Sequence, residues 1–276
     1  MPAISTNIAA NSAVRYLNIN SNQETSSLAK LSSGSRITSA SDDAAGLAIS
    51  TRISSDIATL QQAATNAAQA TSILQTADGG ASNISDILAR MKSLASESAS
   101  GTTVGTSRTY INSEFSQLIS QIGSIATGTR YSGQSLLDPT STFTAGTGVS
   151  VLIGSSANDT INLKLSDLTA TALAVSALDV STQSGAAAAL TTLDTAIDTV
   201  SKARADIGAL ESRFNFSADS ISTQTQNLQS ANSAIKDVDI ASEQAKLSSA
   251  QVKTQAAVSA EAAANQIPQY LLKLLG

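Results

Sequence analysis

The sequence has no cysteine, no histidine and no tryptophan, and only 3% of its 276 residues are aromatic. Each absence removes a class of function. Without His or Cys, neither a Ser-His nor a Cys-His nucleophile pair can be built, and the usual zinc ligands are missing. No disulfide framework is possible. No apolar run reaches about 18 residues, so neither a transmembrane helix nor a membrane partner is predicted. P-loop and GxGxxG patterns are absent too, so no cofactor is predicted and the chain does not read as an enzyme. Proline occurs only at Pro2, Pro139 and Pro268. An interior proline costs a helix about 3 kcal/mol, so the two long proline-free stretches are free to be mostly helical. The net charge is −5, with acids and bases scattered. Nucleic-acid binding asks for a basic stripe and is disfavoured.

What is present is Ala, Ser, Thr, Gln and Asn in abundance. Small side chains bury little area each, so stability has to come from long helices lying side by side or from neighbouring subunits. The start, MPAISTNIAANSAV, lacks a basic region followed by an apolar stretch and does not read as a secretory signal peptide. Composition alone reads as cytoplasmic.

From about Ser5 to Ser33, Ile4, Ile8, Val14, Leu17, Leu28 and Leu31 form a thin apolar stripe, predicting a helix that is marginal alone. The segment Gln244 to Leu275 mirrors it with Leu247, Val252, Ala256, Val258, Ile267, Leu271 and Leu274. Two weak amphipathic ends can bury each other only as a pair or in an assembly. Between them and the rest lie two joints. Gly34 offers a left-handed helix end, Ser39 and Ser41 are candidate caps, with Ser39 three residues before Asp42, and Asp42 and Asp43 fall at a helix start. Asp237 and Asp239 stand near the start of the last helix. Both carboxylate pairs read as capping and dipole complementation rather than acid-base chemistry.

Helical spacing is stronger from about Ala44 to Ser100, long enough for about 80 Å at a rise of about 1.5 Å per residue. Gly79 and Gly80 are read as a weak point inside one helix, with a true break as the rival. A shorter helix is predicted from about Arg108 to Ala126, ended by Gly128, with Tyr131 as a packing anchor in the turn that follows. Val149, Val151 and Ile153, then Ile161, Leu163 and Leu165, change the period to two and predict a β-hairpin. A turn or short strand is predicted around Ala172 to Val175. Helical spacing returns from about Ala186 to Ser233. Asn83, Asn158 and Asn215 begin glycosylation triplets that are read as chance.

LSSGSRITSASDDAAGLAIS (Leu31 to Ser50) resembles the signature of bacterial flagellins, and Ile235 to Gly276 resembles their C-terminal segment. RADIGALESRFN (Arg204 to Asn215) and TRYSGQSLLD (Thr129 to Asp138) also resemble flagellin segments, so the likeness runs in order over most of the chain. The resemblance implies a mainly α fold, a long antiparallel bundle and coiled coil with a small β-hairpin region and paired termini. It implies a terminal coiled-coil domain from 1–42 and 234–276, and a rod domain over 43–233 with the hairpin region near 140–180. It implies a short form without large outer domains, which is exported through the flagellar channel without a cleaved signal and polymerises into the extracellular filament for motility. Self, the export apparatus and its chaperone, and the filament cap and hook-filament junction proteins are the implied partners.

The resemblance also implies roles for residues. Both terminal segments order on polymerisation, through Ile4, Ile8, Leu17, Leu28, Leu31, Leu247, Val252, Ile267, Leu271 and Leu274. LARMKSLASES and INSEFSQL resemble the helices through which many flagellins contact a host Toll-like receptor and neighbouring protofilaments. Arg90, Leu94, Ile111 and Glu114 match that pattern, while Ala89 and Ser93 replace its usual Gln and Glu, so a weakened recognition is predicted. A hook-filament junction protein is the near alternative. A chemoreceptor-like signalling hairpin is a more distant one, set aside for want of sustained heptads and a membrane span.

Overall fold

A computed structural model describes residues 7–275, with side chains described for 7–266. Ile4 therefore lies outside the described residues, as do the side chains of Ile267, Leu271 and Leu274. Five helices and two small hairpins follow in order: α1 (Ile8–Ser33), α2 (Ala44–Ala99), α3 (Gly105–Gly128), β1 (Arg130–Tyr131), β2 (Gln134–Ser135), β3 (Val149–Leu152), β4 (Thr160–Leu163), α4 (Gln183–Lys236) and α5 (Ile240–Leu275). The mainly α bundle with a small β region matches the sequence expectation. Two compact units divide the chain, residues 1–55 with 227–276, and residues 56–226. Both divisions fall inside helices α2 and α4.

In the second unit α2 and α4 run antiparallel, as their ion pairs show. Arg204 Nε donates to Asp78 Oδ1 at 2.8 Å, and Lys92 pairs with Asp194 further along. Leu74, Ile84, Leu88 and Met91 from α2 meet Phe115 and Ile122 from α3 and Leu193, Val200, Ile207 and Phe214 from α4 in one core. The β3–β4 hairpin covers this core with Ile161 and Leu163, in the register Val149↔Leu163 to Leu152↔Thr160. The segment near Ala172 to Val175 forms a turn and buries Leu173 and Val175.

Helix α2 runs unbroken through Gly79 and Gly80, and the two glycines differ. A Cβ on Gly79 would meet nothing within 4 Å, whereas one on Gly80 would lie 2.5 Å from Thr129 Oγ1 and 2.9 Å from Leu137 Cδ1. Gly80 therefore lets the turn after α3 settle against the helix. That turn reverses at Ser132 and Gly133 with φ of 51° and 83°, the double left-handed geometry that suits a two-residue hairpin connection. Tyr131 packs against the core there, as expected.

The first unit is built on α1 and α5. Asn7 Nδ2 donates to Ala264 O at 2.8 Å and Ser27 Oγ to Glu243 Oε1 at 2.8 Å, so the two helices run antiparallel along their length. Helix α1 ends on Gly34 in the left-handed conformation, φ 68°, as the sequence predicts.

Candidate assembly surfaces

The joints are tied to each other, which sequence patterns did not reveal. Ser35 and Asp237 form an antiparallel bridge, flanked by Arg36 N to Lys236 O at 2.6 Å and Val238 N to Gly34 O at 3.1 Å. Arg36 adds its guanidinium to Ile235 O at 2.9 Å. The cap of α2 differs from expectation. Asp43 Oδ1 accepts from Gly46 N at 2.8 Å, while Ser39 and Ser41 bond to each other through their hydroxyls. The acceptor at the start of α2 is thus the Asp43 carboxylate, and the two serine hydroxyls are turned to each other. Asp42 reaches backwards instead, its Oδ2 taking Thr38 Oγ1 at 2.8 Å, Thr38 N at 2.9 Å and Ser39 N at 3.0 Å. The Thr38 hydroxyl, then the two amides, hold this carboxylate down to about 2. At the other joint Asp239 caps α5, accepting from Ala241 N at 3.0 Å and Ser242 N at 3.2 Å.

The seam between α1 and α5 is not the apolar stripe visible in the sequence. The covered positions are Ala10, Ala13, Leu17, Asn20, Glu24, Ser27 and Leu31 on one helix, with Lys30 half-buried beside Ser27. On the other they are Glu243, Leu247, Ala250, Thr254, Ala257, Glu261 and Ala264. Spacings of three and four alternate on both, so a sustained heptad is present, contrary to the sequence expectation. It was hidden because small and polar residues occupy most of it. Of the residues predicted to pair the ends, Leu17, Leu31 and Leu247 lie in this seam. Ile8, Leu28 and Val252 do not, and remain 72%, 58% and 67% exposed. Val14, Tyr16, Ile19, Ile240 and Val258 are exposed as well. The pair thus buries alanines and presents isoleucines, valines and leucine to its surroundings.

The receptor-type candidates separate in the same way. Leu94 and Ile111 are buried in the core of the second unit, so only Arg90 and Glu114 reach the surface. These two hold each other, with Arg90 Nε and Nη2 donating to Glu114 Oε1 at 3.0 and 2.7 Å. Ala89 and Ser93 flank them, exposed.

An α1–α5 coiled coil joined to a three-helix core defines a subunit whose terminal helices expose much of their apolar surface. The family described as "Bacterial flagellin N-terminal helical region" matches residues 4–142, and "Bacterial flagellin C-terminal helical region" matches residues 190–275. The chain is 36% identical to the flagellin of Halalkalibacterium halodurans over 274 residues, 99% of each protein. The crystal structure of Bacillus cereus flagellin is similar with a TM-score of 0.51 at 31% identity, covering 61% of this chain and 94% of that one. A putative flagellar hook-associated protein from Vibrio parahaemolyticus shares the fold, with a TM-score of 0.59 at 14% identity over 71% of this chain and 100% of its own. The chain belongs to the bacterial flagellins. It is a short-form flagellin, a structural subunit of the flagellar filament.

Proposed function

We propose that this subunit is exported through the flagellar channel, without a cleaved signal, and polymerises outside the cell into the filament that turns motor rotation into thrust. An export chaperone, the filament cap and the hook-filament junction proteins are its other partners, and it has no enzymatic role. The observation that carries this reading is the outward face of the α1–α5 pair. A lone subunit in water gains nothing from exposing Ile8, Leu28, Val252 and Val258, whereas a polymer that encloses the pair buries them. The terminal domain, 1–42 with 234–276, orders as it is enclosed, and the rod domain, 43–233, carries the lateral contacts. The test is electron microscopy of heat-dissociated subunits after adding filament seeds, beside a version lacking Ser233 to Gly276. Long filaments from the full chain alone are expected. A full chain that stays monomeric under seeding moves the protein to a hook-filament junction role.

A host Toll-like receptor is a further partner on this reading, through the Arg90–Glu114 surface. Because the two side chains satisfy each other, a receptor has to break that pair to use either, in keeping with weakened recognition. Arg90→Ala should abolish what receptor signalling there is. Undiminished signalling by that variant removes the receptor from the list of partners.

A further inference from the structure

Among the described residues, the α1–α5 seam contains one buried ion. Glu243 is 5% exposed, and its two carboxylate oxygens are both taken: Oε1 by Ser27 Oγ across the seam and Oε2 by Lys246 Nζ one turn on, each at 2.8 Å. Burying a carboxylate is costly even when it is paired, so its place among the alanines and leucines of the seam calls for a reason. Specification of one pairing among several is the best-attested use of such a group in coiled coils.

A competing pairing exists. Opposite the seam, α5 carries a second heptad stripe, Ala245, Ser249, Val252, Ala256, Ser259 and Ala263, every one of them exposed. This stripe is as small and as apolar as the one α1 uses. The seam side has Leu247 and the other side Val252, so apolar area and side-chain volume separate the two faces by little. The bridge at Ser35 and Asp237 fixes the level at which the two helices start, and it lies outside α5, so it makes no contact with either face of that helix. What distinguishes the faces is Glu243, which meets a hydroxyl only when α1 lies on the seam side.

We propose that Ser27, Glu243 and Lys246 form a polar lock that selects the face of α5 paired with α1, leaving the Val252 face for neighbouring subunits. The lock is a positioning device for assembly, and so rests on the filament reading above. With α1 on the wrong face, Val252 is sequestered within the subunit and Glu243 is turned outward, so an incoming subunit meets the wrong surface.

The two helices mirror each other at this point, which supplies the decisive variant. Lys30 stands three residues after Ser27, as Lys246 stands three residues after Glu243. Exchanging the pair, Ser27→Glu with Glu243→Ser, puts the carboxylate on α1 with Lys30 beside it and a hydroxyl opposite. A role that depended only on the native residue in its native place would not survive this exchange. Because the chain has no cysteine, two introduced ones report the pairing alone. Ala13→Cys with Ala257→Cys reads the seam, and Ala13→Cys with Ser259→Cys reads the opposite face.

In full-length protein under mild oxidation, the seam cross-link should dominate. Ser27→Glu and Glu243→Ser should each lower the ratio of seam to opposite-face product by about tenfold or more, as disruption of a buried charged group does, and slow growth from seeds. The exchanged double variant should recover both. Singles that keep the parental ratio, or an exchange no better than the singles while all variants stay helical, would overturn the lock. If the parent fails to extend seeds but cross-links on the seam with the expected variant pattern, the lock stands and the filament reading falls.

Discussion

Single carboxylates in this protein do structural work at helix joints, and their protonation should be visible there first. Asp42 is held down to about 2 from 3.8 by the Thr38 hydroxyl and the Thr38 and Ser39 amides. A depressed folded-state value means that the charged form favours the folded joint. Its contribution is therefore complete above the unfolded value and is lost as pH falls from about 4 through about 2. The protection of the Thr38 and Ser39 amides relative to their intrinsic exchange should fall over that window, and Asp42→Asn should show the lower protection already at neutral pH. Glu243 is lowered chiefly by Lys246 and then by Ser27, with Lys30 adding to the field. The sign is the same, so the α1–α5 pair should loosen on acidification below the ordinary glutamate range. The two adjacent glycines give a second contrast at this scale. Gly80→Ala pushes a methyl into Thr129 and Leu137 and should cost about 1–3 kcal/mol by overpacking. Gly79→Ala meets nothing and should raise stability by up to about 1 kcal/mol through helix propensity. Thermal melts of the two variants moving in the same direction would refute the role given to Gly80.

Whole elements were legible in the sequence to the extent that their apolar side chains were large. Helices α2 and α4 and the β3–β4 hairpin came through because Leu, Ile, Val and Phe mark their buried faces at periods near 3.6 and 2. The turn at Gly34 was legible because only glycine takes that backbone conformation without strain. The α1–α5 seam was misread, since the eye follows Ile8, Val14, Leu28, Val252 and Val258, while the covered positions are mostly Ala, Ser, Thr and Glu. In an ordinary globular helix the large apolar residues turn inward. Here a subunit's inside is only part of what gets buried, so size and burial come apart. The bridge between Ser35 and Asp237 left no trace in periodicity because it is made by backbone groups 202 residues apart. The receptor-type candidates were half legible. A sequence match sees identity, so it grouped Leu94 and Ile111 with Arg90 and Glu114, although the first two face the core. An element-scale check follows from the seam. Ala250→Leu enlarges a buried position where the helices approach through alanine, and should destabilise the pair by about 1–3 kcal/mol. Ala256→Leu, six residues on and on the exposed face, should leave the isolated subunit within about 0.5 kcal/mol of the parent.

At the scale of the whole molecule, the stability of the subunit and the stability of its polymer draw on different residues. A filament grows by the same contact repeated between non-equivalent surfaces, an arrangement that stays open because its rotation does not close. Val252 and Val258 are 67% and 51% exposed in one subunit, so replacing both by serine should change its melting by less than about 1 kcal/mol. Full burial of such a side chain is worth about 1.5–3 kcal/mol, so a neighbour that covers what is still exposed gains about 1–2 kcal/mol from each valine per subunit added. The critical concentration for seeded growth should then rise by about fivefold to thirtyfold for each valine, since about 1.4 kcal/mol corresponds to a factor of ten. Leu247→Ser should behave in the opposite sense, weakening the α1–α5 pair itself because that side chain is buried within the subunit. Sedimentation of seeded mixtures over a concentration series separates the two effects. A critical concentration unchanged by the double valine replacement would mean that both valines meet water in the filament, and the enclosing contacts would then have to lie on the Ile8 and Leu28 faces of α1.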